Sequence, residues 1–159
     1  MNFDYPHDET FELAKQDALK IVDELRKEIE DAKPPTWIEG SDILGTHGQG
    51  SKLGVYLIEH LRRDERYIRK VMSVGMGKLG SRFSRLRSIW KNRGKAIHHE
   101  NGSTTDHVAL RKCYQIDADE TNWKIHWCEI VNALLRECYE TRVGKHYKPE
   151  FNLEGMFGK

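Results

Sequence analysis

Residues 53–60 read LGVYLIEH and residues 67–75 read YIRKVMSVG. Both runs are rich in β-branched and aromatic side chains, which favour extended backbone. The charged residues 62–65 between them carry no apolar side chain and are expected to turn the chain. This stretch therefore predicts a pair of antiparallel strands at the centre of the fold.

Helices are predicted on both sides of the strand pair, because apolar residues recur there at helical spacing. The first covers residues 9–32 and ends before Pro34, which has no amide hydrogen to donate. A second helix is predicted over residues 81–91. A third is predicted to start from cap residues at 117–121 and to run to about residue 139.

Residues 108–116 alternate enough between apolar and polar side chains to be predicted as the third strand. The element order is then helix, strand, strand, helix, strand, helix. This order predicts an α+β fold, in which a small three-stranded antiparallel sheet is flanked by helices in αβα layers. Residues 1–50 form an N-terminal helical extension and loop in this scheme, and residues 51–159 form the core.

Charge is unevenly distributed in a chain whose net charge is only +1. Residues 60–97 contain twelve lysines and arginines against two acidic residues, whereas residues 1–33 contain ten acidic and five basic residues. A localised basic segment in a near-neutral protein favours binding to a polyanion. An ordinary solvated helix would show a similar pattern. No apolar run reaches the ~18 residues of a membrane helix, and no signal-peptide pattern is present, so a cytoplasmic location is expected.

Four short motifs follow one another along the predicted elements. They are Gly54-Val55-Tyr56 in the first strand, Val74-Gly75 at the end of the second, Leu79-Gly80-Ser81-Arg82-Phe83 at the start of a helix, and Glu129 in the last helix followed by Pro149-Glu150-Phe151-Asn152. In this order the sequence resembles the GIY-YIG nuclease family, and the resemblance spans residues 53–152.

The resemblance implies a metal-dependent DNA endonuclease that recognises a sequence, of the homing or restriction kind, in a bacterial or phage-infected cell. Phosphodiester hydrolysis needs an activated water and neutralisation of phosphate charge. Tyr56 is expected beside the water, Arg82 on the phosphate, and Glu129 as the ligand of Mg²⁺ or Mn²⁺. Asn152 is expected to tie the end of the chain back to the site.

The sequence departs from the family pattern in two ways that leave roles open. Ser73 stands where the family usually has a tyrosine, which weakens any mechanism that needs this second phenol. The long stretch before Asn152 leaves Glu137 as an alternative to Glu129. His99 is a further candidate, for assisting proton transfer. The polar residues 98–101 and 106–107 also suggest an HNH-type metal nuclease, but nothing downstream supplies its remaining ligand.

Double-stranded DNA is the expected partner, held along its backbone by basic residues in and around the second predicted helix. These are Lys78, Arg85, Arg87, Lys91, Arg93 and Lys95. The N-terminal extension would pack on the core or supply further DNA contacts. One active site cuts one strand, so a double-strand break implies a homodimer on DNA, sequential nicking or reorientation. The alternatives are a structure-specific repair nuclease and a non-catalytic DNA-binding module.

Overall fold

The computed structural model describes residues 3–24, 26–63 and 67–151, with the backbone alone described at residues 62, 63 and 67–69. In chain order the elements are α1 (Asp8–Ile21), α2 (Arg26–Asp31), β1 (Leu53–Arg63), β2 (Tyr67–Lys78), α3 (Leu79–Lys91), β3 (Ile97–His98), β4 (Thr104–Thr105), α4 (Val108–Ile116), β5 (Trp123–Glu129) and α5 (Ala133–Tyr147), with short 3-10 turns at Ile43–Gly45 and Glu120–Asn122. The predicted class is confirmed, since the chain is α+β with a three-stranded antiparallel sheet flanked by helices.

The main sheet has the strand order β2-β1-β5, so β1 is central. Both pairs are antiparallel, and Tyr56 lies opposite Gly75 on one side and Trp127 on the other. The outer edge of β5 is partly covered by residue 38, whose amide donates to the Trp127 carbonyl at 2.7 Å. A separate two-stranded hairpin, β3–β4, connects α3 to α4.

The prediction of a strand at residues 108–116 is wrong, because this segment is helix α4. Its short alternation of apolar and polar residues also fits a helix. Leu110 and Cys113 are the buried members and lie three residues apart, on one helical face. The His107 side chain accepts a hydrogen bond from the Leu110 amide and so caps the helix start.

The prediction of one long helix over residues 117–139 is also wrong. Residues 123–129 form β5, the true third strand, and helix α5 begins only at Ala133. Both faces of β5 are buried, although Lys124 and His126 alternate with the apolar residues. Apolar residues also recur at helical spacing from the end of β5 into α5, at positions 127, 130, 131, 134, 135 and 138, so the two elements together resemble one amphipathic helix. Asn132 caps α5 by accepting from the Leu135 amide at 2.9 Å.

The predicted first helix is in fact two helices, α1 and α2. The Lys15 ammonium donates to the carbonyls of Glu30 and Ala32 at 2.7 and 3.1 Å, so the chain has folded back on itself. This return lets Ile29 join the core that already holds Phe11, whereas a continuous helix would carry it away at about 1.5 Å per residue.

Two apolar clusters cover the two faces of the sheet. Phe11 and Ala14 of α1 join Val55 and Leu57 of β1 and the buried side of α5 in one cluster. Tyr56 and Ile58 of β1 pack with α3 and α4 in the other. The site residue Tyr56 therefore lies on the sheet face that carries α3.

Candidate active site

Tyr56 is almost fully buried, with 3 % of its surface exposed. A Cβ atom added to Gly75 would lie 2.4 Å from both Cζ and Oη of Tyr56, so the phenol ring crosses directly over this glycine. Phe83 of α3 meets the ring edge to face, with 5.6 Å between ring centroids. The side chain therefore has a fixed position, and any residue larger than glycine at position 75 would displace it.

Arg82 lies in the first turn of α3 and crosses a second glycine of β2. A Cβ atom added to Gly77 would lie 2.9 Å from the Arg82 Nε atom. The φ angle of +133° at Gly77 also favours glycine. The sequence Gly75-Met76-Gly77 thus leaves space for Tyr56 and Arg82 beside each other at the end of β2.

Glu140 of α5 is buried, with 4 % of its surface exposed. Within the described part of the chain, its carboxylate forms neither a hydrogen bond nor an ion pair. Burial raises the pKa of Glu140 to about 7, the positive charge of Arg82 acts against this, and the charge of Glu137 adds to it. Glu140 is not among the residues predicted from the sequence. Its signal was a carboxylate next to the apolar stripe of Tyr139 and Val143.

Charge effects connect Glu140, Tyr56 and His107 through the arginines of α3. Burial raises the pKa of Tyr56 to about 12, against the charges of Arg82 and Arg85, while Glu140 raises it further. Burial and the same two arginines lower the pKa of His107 to about 4. Arg82 therefore acts electrostatically on Tyr56, His107 and Glu140, although these residues come from β1, the start of α4 and α5.

His107 is a second residue of the candidate site that is not predicted from the sequence. Its Nε2 atom lies 3.3 Å from the Tyr56 hydroxyl oxygen. The residue was recognised only as part of a polar cluster, because the helix that it caps was predicted as a strand. A histidine just before a helix is a cap candidate, so a correct prediction of α4 would have drawn attention to it.

The predicted metal ligand Glu129 lies at the exposed end of β5, opposite Gly54, and not on a helix. Among the described contacts it forms no hydrogen bond or ion pair with Tyr56 or Arg82. The alternative Glu137 is exposed on α5, and its charge contributes to the raised pKa of Glu140. Asn152 lies outside the described residues.

Two lesser candidates occupy different places. Ser73 is buried on β2 opposite Ile58, and no described hydrogen bond links its side chain to Tyr56. His99 belongs to the exposed β3–β4 connection, where its Nε2 atom lies 2.8 Å from the Thr105 hydroxyl. His99 therefore lies in the hairpin and has no described contact with Tyr56.

Four of the predicted DNA-binding residues are exposed, namely Lys78, Lys91, Arg93 and Lys95. Arg85 is half-buried, and its charge acts on both Tyr56 and His107. Arg87 is also half-buried, and it donates to the carbonyl and hydroxyl oxygens of Thr46. Arg87 therefore holds the loop before β1 against α3.

The described ranges contain no group of three or more His, Cys, Asp or Glu side chains that could hold a metal ion. This finding gives no support to a His-rich HNH-type site at residues 98–107. A Mg²⁺ ion, however, is commonly held by one or two carboxylates, with waters and substrate phosphate completing its octahedron. Glu140, which is buried without a described partner and is influenced by the charge of Arg82, fits that kind of ligand.

None of the helices in the described residues has the length and apolar character required to cross a bilayer. Comparisons of the chain with protein-family models, with curated proteins and with solved structures found no match.

Proposed function

We propose that this protein is a metal-dependent DNA endonuclease that hydrolyses phosphodiester bonds, as the resemblance to the GIY-YIG family implies. The observation that carries the proposal is the buried carboxylate of Glu140, which shares an electrostatic cluster with Tyr56 and Arg82. A carboxylate, a guanidinium and a phenol are the groups that metal-assisted phosphodiester hydrolysis needs together. The proposed ligand is therefore Glu140, in place of Glu129 or Glu137.

Each side chain has a role that its surroundings support. Arg82 presents a planar set of donors to the phosphate oxygens, where negative charge develops in the transition state. Tyr56 orients the attacking water. Its ring is fixed over Gly75, two residues along β2 from the glycine that Arg82 crosses. A bound Mg²⁺ or Mn²⁺ ion supplies charge neutralisation at the phosphate and at the leaving oxygen.

The raised pKa of Glu140 makes metal binding dependent on pH. A carboxylate must lose its proton before it can coordinate a cation. With a pKa of about 7, Glu140 is largely protonated below neutrality in the metal-free protein. Metal-dependent cleavage is therefore expected to rise with pH through 7.

Double-stranded DNA is the proposed substrate, and the exposed Lys78, Lys91, Arg93 and Lys95 would contact its backbone. Lys91 lies on α3, the helix that also carries Arg82 and Arg85. Lys78 comes directly before this helix, and Arg93 and Lys95 follow it. The proposed DNA path therefore runs along α3 to the phosphate-binding arginine. Cleavage at a recognised sequence, as in homing and restriction enzymes, is the form of the activity that we propose.

The direct test is incubation of the purified protein with plasmid and linear phage DNA, in Mg²⁺ or in EDTA. Discrete fragments in Mg²⁺ alone would support a sequence-recognising endonuclease. Cutting confined to flaps or junctions in a competition assay would favour the structure-specific repair alternative. Tight binding without turnover in Mg²⁺ or Mn²⁺ would overturn the proposal in favour of a non-catalytic module. An Arg82→Ala protein purified in parallel controls for contaminating nucleases.

A further inference from the structure

His107 makes two contacts that together define the state of its imidazole ring. Its Nδ1 atom accepts a hydrogen bond from the Leu110 amide at 3.1 Å, which caps α4. Its Nε2 atom lies 3.3 Å from the Tyr56 hydroxyl oxygen. The His107 backbone amide donates to the Asp106 carboxylate at 2.8 Å, which holds the residue at the start of the helix.

The ring is a neutral Nε2–H tautomer. A nitrogen that accepts from a backbone N–H carries no proton of its own, so Nδ1 is unprotonated. Burial and the charges of Arg85 and Arg82 lower the pKa of His107 to about 4, so the ring is uncharged near neutrality. The single ring proton is then on Nε2 and is donated to the Tyr56 oxygen.

We infer that His107 is a positioning residue for Tyr56, which fixes the phenol oxygen through an Nε2–H donor and is not a proton acceptor. This inference rests on the proposed nuclease function. Apolar contacts fix the Tyr56 ring, but only a polar partner fixes the direction of its O–H bond. His107 is the one hydrogen-bond partner of that hydroxyl among the described residues. The Tyr56 proton must then point away from His107.

The same arrangement excludes a route in which His107 removes the Tyr56 proton. Its Nε2 atom already carries a hydrogen, and its Nδ1 lone pair is occupied by the Leu110 amide. Accepting a proton would require a change of tautomer and loss of the α4 cap. His107 thus supports the phenol as a donor, and any base that removes its proton is a different group.

His107 could instead act only as the N-cap of α4. Replacing it by asparagine distinguishes this capping role from the positioning of Tyr56. Asparagine is a favoured N-cap residue, so His107→Asn retains an acceptor for the Leu110 amide. Its shorter side chain lacks the ring atom that contacts Tyr56. His7→Asn is the matched control, because His7 is an exposed histidine at the N-cap position of α1 whose described ring contact is to His146.

The first measurement is independent of catalysis. Nitrogen-15 NMR of the histidine rings at pH 7 should show His107 as a neutral Nε2–H tautomer, with an Nε2 shift that changes in Tyr56→Phe. A charged ring or an Nδ1–H tautomer would overturn the inference, whether or not the protein cuts DNA.

The second measurement is kinetic and uses a duplex that the wild-type protein cleaves. His107→Asn should lower kcat by about 10- to 100-fold, with KM and the thermal midpoint nearly unchanged, since misplaced groups slow chemistry more than binding. In a Tyr56→Phe background His107→Asn should cause no further loss, and His7→Asn should retain wild-type kcat. An equal loss in both backgrounds, or wild-type kcat for His107→Asn, would contradict the positioning role. If the wild-type protein cleaves no DNA, the proposed function fails while the NMR result still decides the inference.

Discussion

Glu140 is a carboxylate that folding places in an unfavourable environment. It is nearly inaccessible to water and has no hydrogen-bond donor among the described residues to replace its hydration. A buried ionisable group with a strongly raised pKa is more common at functional sites than in purely structural positions. We therefore expect that replacing Glu140 stabilises the folded protein but removes the proposed activity.

Glu140→Gln should stabilise the metal-free protein at high pH. The folded state holds this proton more tightly than the unfolded state between pH 4.5 and about 7, so the free energy of unfolding falls as pH rises through that window. The difference between these pKa values corresponds to at most about 3 kcal/mol. Thermal melts in EDTA should show similar midpoints for variant and wild type at pH 5, and a higher midpoint for the variant at pH 8.5. A difference that does not change with pH would rule out this titration.

Arg82 and Arg87 lie on the same helix but should respond differently to replacement by alanine. Arg82→Ala removes the proposed phosphate donor and should lower kcat by about 100-fold or more. Arg87→Ala breaks the contact to Thr46 and should instead cost about 1 kcal/mol of stability, with a smaller effect on kcat. Steady-state cleavage rates and thermal melts of both variants test this contrast. Equal losses of kcat would count against a distinct role for Arg82.

Strand β2 shapes the site through its glycines. Gly75→Ala would place a methyl group 2.4 Å from the Tyr56 hydroxyl, so the phenol must move and kcat should fall by about 100-fold. Gly45→Ala is the control, since its new methyl group would meet only the Ser41 side chain, at 3.1 Å. Cleavage rates of the two variants provide the comparison. Wild-type kcat for Gly75→Ala would show that the position of Tyr56 is unimportant.

The strands β1 and β2 could be predicted from the sequence because their β-branched and aromatic residues leave little ambiguity. The segments after residue 107 could not be assigned by the same signals. α4 is short, and part of its sequence alternates. β5 does alternate from Trp123 to Trp127, but apolar residues at helical spacing continue from its end into α5 and favour a single helix. The strand conformation of residues 123–129 depends on their pairing with β1 and with residue 38, which local patterning does not encode.

These errors in element assignment explain which site residues were predicted and which were not. Tyr56 and Arg82 lie on β1 and α3, which were located correctly, and the structure brings them together. The metal-binding carboxylate is predicted on a helix that starts from cap residues at 117–121, whereas α5 starts at Ala133. The placement of Glu140 and His107 depends on the true boundaries of α5 and α4, so neither residue could be predicted from the sequence.

At the scale of the whole molecule, the basic residues of α3 and the acidic N-terminal third should make DNA binding sensitive to salt. Phosphate contacts release counterions, and each lost contact lowers the slope of log K against log salt concentration by about 0.9. Replacing Lys91 and Lys95 by alanine should therefore reduce that slope by about 2. Replacing Lys20 and Lys27, which are exposed on α1 and α2, should leave it unchanged. A flat salt response of the wild-type protein would contradict binding through the α3 face.

The position of the proposed metal ligand is tested most directly by cleavage assays on three matched variants, Glu140→Gln, Glu129→Gln and Glu137→Gln. We predict that Glu140→Gln alone lowers Mg²⁺-dependent cleavage by about 100-fold or more, with DNA affinity in EDTA close to that of the wild type. Glu129→Gln and Glu137→Gln should still cleave. Wild-type cleavage by Glu140→Gln, together with loss of cleavage in either of the other two variants, would show that Glu140 is not the ligand.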